Sequence, residues 1–191
     1  QLAVVDLTED GAPDAFMTDV RGGGVTLLAG SGTGMFASAS GFSFETSMPV
    51  RAAERPIAAA LGDLDADGDP DAIVFTDESP LAVRLINSGK GAFVESDDPL
   101  IDLGIPGAGG SLVDLNHDGF LDIVASSAAG RQVAIRLGRP GGSFAEPVLI
   151  DAGGEMPAVS VGDMNGDGRP DLVTGNYDSG TLSVLLRARD E

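Results

Sequence analysis

The chain has 191 residues, 42% of them apolar, which is enough for one sizeable core and too many for a disordered segment. Its 28 Gly and 11 Pro favour turns and short strands over long helices. A net charge of −19, from 30 acids against 11 bases, argues against nucleic acid or an anionic membrane surface as partner, and the absence of Cys excludes disulfides, thiol chemistry and Cys-zinc sites.

The first repeat opens with the apolar run Leu2–Val5, an acidic turn Asp6-Leu-Thr-Glu-Asp-Gly-Ala-Pro-Asp14, and a second run Ala15–Met17. A third run, Val25–Leu28, leads into the Gly-rich turn Gly30–Gly34 and a fourth strand that Phe36 or Phe42 starts or precedes, as Phe93 and Phe144 do in the next two repeats. Residues 41–56 read as an irregular insertion. The second repeat follows the same plan: Ile57–Leu61, Asp63-Leu-Asp-Ala-Asp-Gly-Asp-Pro-Asp71, Ala72–Phe75, Leu81–Ile86, the turn Asn87–Gly91, then Phe93. The third runs Ser111–Val113, Asp114-Leu-Asn-His-Asp-Gly-Phe-Leu-Asp122, Ile123–Ala125, Gln132–Leu137, the turn Gly138–Gly142, then Phe144. The fourth runs Ala158–Val161, Asp163-Met-Asn-Gly-Asp-Gly-Arg-Pro-Asp171, Leu172–Val173 and Thr181–Leu186, with no fourth strand before Glu191.

Short apolar runs bounded by turn residues read as buried strands, and a Gly-rich turn between two of them reads as a hairpin. The polar Arg84 and Arg136 place the third strand of each repeat nearer the surface. The acidic turns begin at positions 6, 63, 114 and 163, spacings of 57, 51 and 49 residues. Four short antiparallel strands at a period near 50 predict an all-β fold, a β-propeller of four blades with the last blade incomplete. The repeats span approximately 1–50, 51–106, 107–154 and 155–191 of a single domain. A single repeat cannot bury both faces of its sheet, so the repeats must stack.

Asp63, Asp65 and Asp67 place a carboxylate on every second residue, and Gly68 allows the turn that brings Asp71 back. Carboxylates this close repel one another, and a divalent cation removes the conflict. Oxygen donors without Cys or His ligands point to Ca²⁺. The EF-hand alternative needs Glu at position twelve, where these loops have Val74, Ala125 and Thr174. Thirteen acids occupy candidate ligand positions, so four Ca²⁺ would bring the net charge to −11. Such ions are structural, because protein oxygens fill the ligand positions and leave little room for substrate.

The D-x-[DN]-x-D-G-x-x-D loop, the apolar strand after it and the Val-Leu-Leu…Gly-x-Gly-x-Phe hairpin resemble the FG-GAP/VCBS repeat of integrin α-subunit propellers and secreted bacterial proteins. The resemblance covers nearly the whole chain. It implies four-stranded blades with Ca²⁺ in the loop between the first two strands, and adhesion, ligand-binding or accessory roles outside the cytoplasm. It implies side-chain ligands Asp63, Asp65, Asp67 and Asp71, with the Asp69 carbonyl. In the third loop these are Asp114, Asn116, Asp118 and Asp122, with the Phe120 carbonyl. In the fourth they are Asp163, Asn165, Asp167 and Asp171, with the Arg169 carbonyl. The first loop supplies Asp6, Asp10 and Asp14 and the Ala12 position, but has Thr8 at its third position, a neutral hydroxyl. The Asp63 loop is expected to bind best and the Asp6 loop worst. Integrin-type propellers have seven blades. Four repeats therefore either close alone, belong to a longer chain or combine with another chain.

His117, the single histidine, lies at loop position four and reads as a solvated surface residue without a nucleophile or orienting partner. Asp77, Glu78, Asp97, Asp98, Glu155 and Asp178 read as solvated turn acids, with a glycosidase-type carboxylate pair as the alternative. There is no Trp for sugar stacking; Tyr177, the single Tyr, is the best contact candidate, against the alternative of packing on a neighbouring blade. No Arg-Gly-Asp tripeptide occurs, no apolar run is long enough for a helical membrane span, and no signal peptide is visible. The chain opens on Gln1, so a signal or longer N-terminal region is expected to have been removed. The leading expectation is a secreted, calcium-binding adhesion or binding module, not an enzyme, with a protein or glycan ligand. Alternatives are a domain of an extracellular polysaccharide-active enzyme and a subunit that self-associates through its incomplete blade.

Overall fold

The computed structural model describes residues 2–19, 24–37, 55–77, 79–127, 130–155 and 158–188. Most of the 41–56 insertion, with Phe42, lies outside them. The described residues form antiparallel sheets, one per repeat. The first holds β1 (Leu2–Val5), β2 (Asp14–Asp19), β3 (Gly24–Gly30) and β4 (Phe36–Ala37) in that order. The second holds β5 (Pro56–Gly62), β6 (Asp71–Thr76), β7 (Leu81–Asn87) and β8 (Phe93–Asp102). The third holds β9 (Gly107–Val113), β10 (Asp122–Ser127), β11 (Gln132–Arg136) and β14 (Val148–Asp151). A small hairpin of β12 (Gly138–Arg139) and β13 (Ser143–Phe144) stands between β11 and β14. The fourth sheet has three strands, β15 (Ala158–Gly162), β16 (Asp171–Asn176) and β17 (Thr181–Leu185).

This is the expected all-β, four-blade architecture with an incomplete last blade. Phe144 precedes the fourth strand of blade three, one of the two placements its pattern allowed. It sits in the small hairpin, and the strand starts at Val148, after Pro147, which has no N–H for the ladder. One detail differs from the sequence reading: strand β9 begins at Gly107, well before Ser111. At Gly110 a Cβ would come within 2.3 Å of the Val124 carbonyl oxygen and 2.7 Å of the Phe75 ring. Glycine there lets the buried Phe75 ring lie against the strand backbone.

The core lies in the seams between blades. Leu7, Phe16 and Leu27 of blade one pack on Ala72, Leu85 and Phe93 of blade two. The Phe16 and Phe93 rings meet edge to face at 5.4 Å. Ile73, Phe75 and Leu103 of blade two pack on Ile123 and Ala134 of blade three, with Phe144 against the same cluster. The seam between blades three and four is thinner: Leu115, Val124, Val133 and Ala152 meet Leu172, with Leu185 at the margin and no aromatic ring among the described residues.

Arginines stitch the seams. Arg84 on β7 donates to Ser96 Oγ and the Asp98 carbonyl, both at 3.1 Å, and crosses to the Gly142 carbonyl. Arg136 on β11 donates to Ala145 O and back to Asp102 O of blade two, each at 2.6 Å. The polar residues of the third strands thus serve inter-blade contacts rather than open surface.

Candidate metal centre

The four acidic turns occupy one place in the fold, the connection between the first and second strand of each sheet. Their shape follows from side-chain-to-backbone bonds. The first Asp accepts an N–H from the sixth residue: Asp6 from Gly11 at 2.9 Å, Asp63 from Gly68 at 3.0 Å, Asp114 from Gly119 at 2.9 Å and Asp163 from Gly168 at 2.8 Å. Those four glycines have φ between 82° and 101°, which side chains resist. The fifth Asp accepts an N–H from the seventh residue: Asp10 from Ala12 at 2.8 Å, Asp67 from Asp69 at 2.9 Å, Asp118 from Phe120 at 2.9 Å and Asp167 from Arg169 at 3.0 Å. These are Asx turns, the local bond by which Asp and Asn favour turns.

The ninth residue, Asp14, Asp71, Asp122 or Asp171, does something the sequence did not disclose. Each is the first residue of the second strand and at most 1% exposed. One oxygen accepts the N–H seven residues back: Leu7 at 2.7 Å, Leu64 at 2.8 Å, Leu115 at 2.8 Å and Met164 at 3.0 Å. The other accepts the N–H sixteen residues on: Gly30 at 2.8 Å, Asn87 at 2.8 Å, Gly138 at 2.7 Å and Arg187 at 2.8 Å. The carboxylate therefore clamps the loop entrance to the end of the third strand in every blade. The signal available in sequence was its position at the head of an apolar strand, where a side chain alternates into the core.

Asp63, Asp65 and Asp71 bring one ligand atom each to within 4.8 Å of one another, the one such carboxylate group among the described residues. Burial pushes the Asp71 carboxyl up to about 6, outweighing the N–H bonds from Asn87 and Leu64 that favour its ionised form. Burial and the neighbouring Asp67 charge raise Asp65 as well. In the third loop burial raises Asp122. Asp163, by contrast, is held below the usual carboxylate range by the backbone N–H groups of Gly168, Gly166 and Asp167. Loops three and four carry an amide at the third position, which pairs with the fifth carboxylate: Asn116 Nδ2 to Asp118 at 2.8 Å and Asn165 Nδ2 to Asp167 at 3.2 Å. Loop two has Asp65 there and no donor to offer.

In loop one, Asp6 Oδ1 and Thr8 Oγ1 are buried with no hydrogen-bond partner, and Asp69 Oδ1 of loop two is in the same condition. Unpaired buried oxygens cost free energy that a cation would offset. Oxygen-only donors, converging carboxylates and orphaned oxygens fit a hard divalent ion. The residues that would hold it are those at positions one, three, five and nine of each loop, with the seventh carbonyl. Bound there, the ion would supply charge neutralisation and rigidity.

Adjacent loops also touch. His117 Nε2 lies 3.3 Å from Gly168 O, so His117 reaches the next blade's loop rather than only solvent. The Asp69 carboxylate beside Glu9 raises the Glu9 carboxyl, so loop one and loop two meet there. Both residues occupy position four, with φ near 60°. Of the remaining acids, Asp77 pairs with Arg55 at 3.3 Å, Asp178 accepts the Glu155 N–H at 3.0 Å and Asp98 is exposed. Glu78 and the Asp97 side chain lie outside the described residues. Tyr177, in the β16–β17 turn, is 82% exposed and packs on no blade core.

A family profile described as an FG-GAP-like repeat matches residues 6–74, 63–125 and 114–174, each stretch running from the start of one loop to just past the next. A search of curated proteins returns no match. Among solved structures, an Agrocybe aegerita lectin, described as recognising non-reducing terminal N-acetylglucosamine, superposes with a TM-score of 0.58 at 21% identity. The match covers 92% of this chain and 46% of the lectin, so the chain spans about half of that lectin's length. A Photorhabdus luminescens Tc holotoxin pore matches at a TM-score of 0.45 and 20% identity, over all of this chain and 9% of that one. At these identities the lectin likeness concerns the fold.

Proposed function

The chain belongs to the FG-GAP-like repeat family, and on that basis we propose that it is a calcium-rigidified, non-catalytic binding module that works outside the cytoplasm. The observation that carries the calcium reading is the convergence of Asp63, Asp65 and Asp71, each bringing one carboxylate oxygen to within 4.8 Å of the others. Calcium takes six to eight oxygens and tolerates irregular geometry, which suits loops built from carboxylates, an amide or hydroxyl and a carbonyl. Extracellular modules work at roughly 10⁻⁴–10⁻³ M affinity, matched to calcium levels outside cells.

The carboxylates of the loops serve the turn and the clamp, and among the described residues no nucleophile is aligned with a base beside them. This supports binding rather than catalysis. Tyr177, exposed in its turn, is the contact residue we propose for a ligand. The fold likeness to a lectin makes N-acetylglucosamine-terminated glycans the first ligands to try.

Calorimetric titration with Ca²⁺ and Mg²⁺ tests the metal. Heat and a melting-temperature gain specific to Ca²⁺ are expected, with Asp63→Asn weakening the tightest site. Glycan-array binding, measured with and without EDTA and with Tyr177→Ala, tests the module. No calcium binding at millimolar concentration would sink the metal reading. Calcium binding with unchanged array signals in EDTA would sink the calcium dependence of recognition.

A further inference from the structure

We propose that the seam between blades two and three holds a binding site for a small oxyanion, a sulfate or carboxylate group, gripped by Arg84 and Arg136. A cavity of about 140 Å³ lies in that seam, lined by both arginines together with Asp98, Leu100, Ile101 and Phe144. It is well below the roughly 300–1,000 Å³ of drug-sized ligand pockets, so it has room for one small group.

The other seams show that the fold does not ask for charge at this place. Arg84 stands thirteen residues after the clamping Asp of blade two, and Arg136 stands fourteen after that of blade three. Successive strand residues point to opposite faces, so position thirteen of one blade and position fourteen of the next look into the same seam. Between blades one and two that pair is Leu27 and Leu85, which share one buried cluster. Between blades three and four it is Ile135 and Leu185, which pack against one cluster. Apolar pairs thus close two seams, and the middle seam has two guanidiniums in their place. Both arginines are half-buried. Like charges brought together there repel, and an anion between them turns repulsion into attraction.

The guanidiniums are held in position and left charged. Arg84 donates to Ser96 Oγ and to the carbonyls of Asp98 and Gly142. Arg136 donates to the carbonyls of Ala145 and Asp102. Every one of these acceptors is neutral, so they orient the two side chains without offsetting their charge. A guanidinium carries five N–H donors, more than these bonds use, and both forks keep donors for a ligand. Asp98 lines the cavity, yet among the described residues neither arginine forms an ion pair with a carboxylate. The planar fork of Arg matches two oxygens of a carboxylate or sulfate. The apolar lining from Leu100, Ile101 and Phe144 lowers the local dielectric and strengthens that attraction. A chain of net charge −19 repels a long polyanion, which favours a single small group over a charged polymer.

The test is a nuclear magnetic resonance titration of the whole chain with sodium sulfate, sodium acetate and sodium glucuronate, at fixed calcium and ionic strength. Saturable shifts are expected at the Nε–H signals of Arg84 and Arg136 and at the amides of Gly142 and Phe144. Arg84→Leu combined with Arg136→Leu, which copies the apolar pairs of the other seams, should fold and lose the response. Arg136→Lys keeps the charge without the fork and should weaken sulfate at least threefold. Glucuronate binding at least tenfold tighter than acetate would assign the oxyanion to a sugar, and equal binding would assign it to the free ion. The absence of saturable shifts in the parent overturns the proposal, whatever the variants do. Shifts that survive in the double variant overturn it as well. Asp98→Asn should leave sulfate binding as tight or tighter. If that variant alone binds sulfate, the Asp98 carboxylate is the counter-ion of the arginines and the proposal falls.

Discussion

Loop two and loop three are the same turn with a different residue at the third position, Asp65 in one and Asn116 in the other. In loop three the Asn116 amide donates to Asp118, so the loop settles part of its charge conflict internally. In loop two the corresponding carboxylate has no such donor, and three carboxylates converge. Yet the clamp below is the same: Asp71 and Asp122 each bind a backbone N–H seven residues back and another sixteen residues on. The clamp is therefore separable from the charge at the third position: the ninth carboxylate joins the loop to the end of the third strand in both blades, and the third position decides whether the loop carries an amide donor or a further carboxylate.

The largest effect should come from breaking what the loops share. Asp71→Ala and Asp122→Ala each strand two backbone N–H groups at buried positions, at roughly 1–3 kcal/mol apiece. Urea unfolding in EDTA should show a loss of about 2–5 kcal/mol for either variant. Were the two to unfold like the parent in EDTA and differ only when calcium is present, the clamp would be a metal ligand and nothing more.

Acid should sharpen the contrast. Asp71 sits at about 6 when folded, against 3.8 for an ordinary Asp. The folded state therefore binds more protons between those values, and calcium-free stability falls as pH rises through that window. The gain at pH 4 over pH 7 is up to about 3 kcal/mol from this group. With saturating calcium the sign should reverse, because protonation removes ligands. Melting curves from pH 4 to 7, with calcium and with EDTA, would then cross. Parallel curves would refute the assignment of Asp71 to both roles.

Exchanging the third residues should exchange the loops' behaviour. Asp65→Asn ought to stabilise the calcium-free protein slightly and weaken its tightest calcium site about tenfold, or about 1.4 kcal/mol. Asn116→Asp ought to do the opposite in loop three. Calorimetric titration of both variants checks this. If Asp65→Asn leaves the tightest affinity unchanged, the converging triad is not the strongest site.

The loop register, the strand order and the stacking of blades were legible in the sequence because each repeats four times. Apolar runs and Asp-Gly turns carry their own local physics. Three things were hidden. Asp71 looks like a fourth ligand in a row of Asp, and only the fold shows both its oxygens turned to backbone N–H groups. Gly107 and Gly110 stand ahead of the apolar run that starts at Ser111, although both are strand residues and Gly110 makes room for Phe75. Phe144 precedes its fourth strand by an interval the pattern does not fix, because Pro147 delays that strand to Val148. In each case a residue is chosen for a contact far along the chain, and a local pattern cannot carry that information.

Position four of the loops offers the smallest and cleanest test of the shared turn. Glu9, Ala66 and His117 have φ of 58°, 67° and 60° there, whereas loop four has Gly166 at 75°. A residue with a Cβ pays roughly 1–2 kcal/mol to hold the left-handed conformation, and glycine gives part of that back through the unfolded chain's entropy. Gly166→Ala should therefore destabilise by about 1 kcal/mol, and Ala66→Gly should stabilise by about half that. Both substitutions face open loop and remove no side-chain partner, so the two changes should have opposite sign in urea unfolding with EDTA. The same sign for both would mean that loops two and four do not share one turn. The comparison between Asp65 and Asn116 would then confound backbone shape with charge.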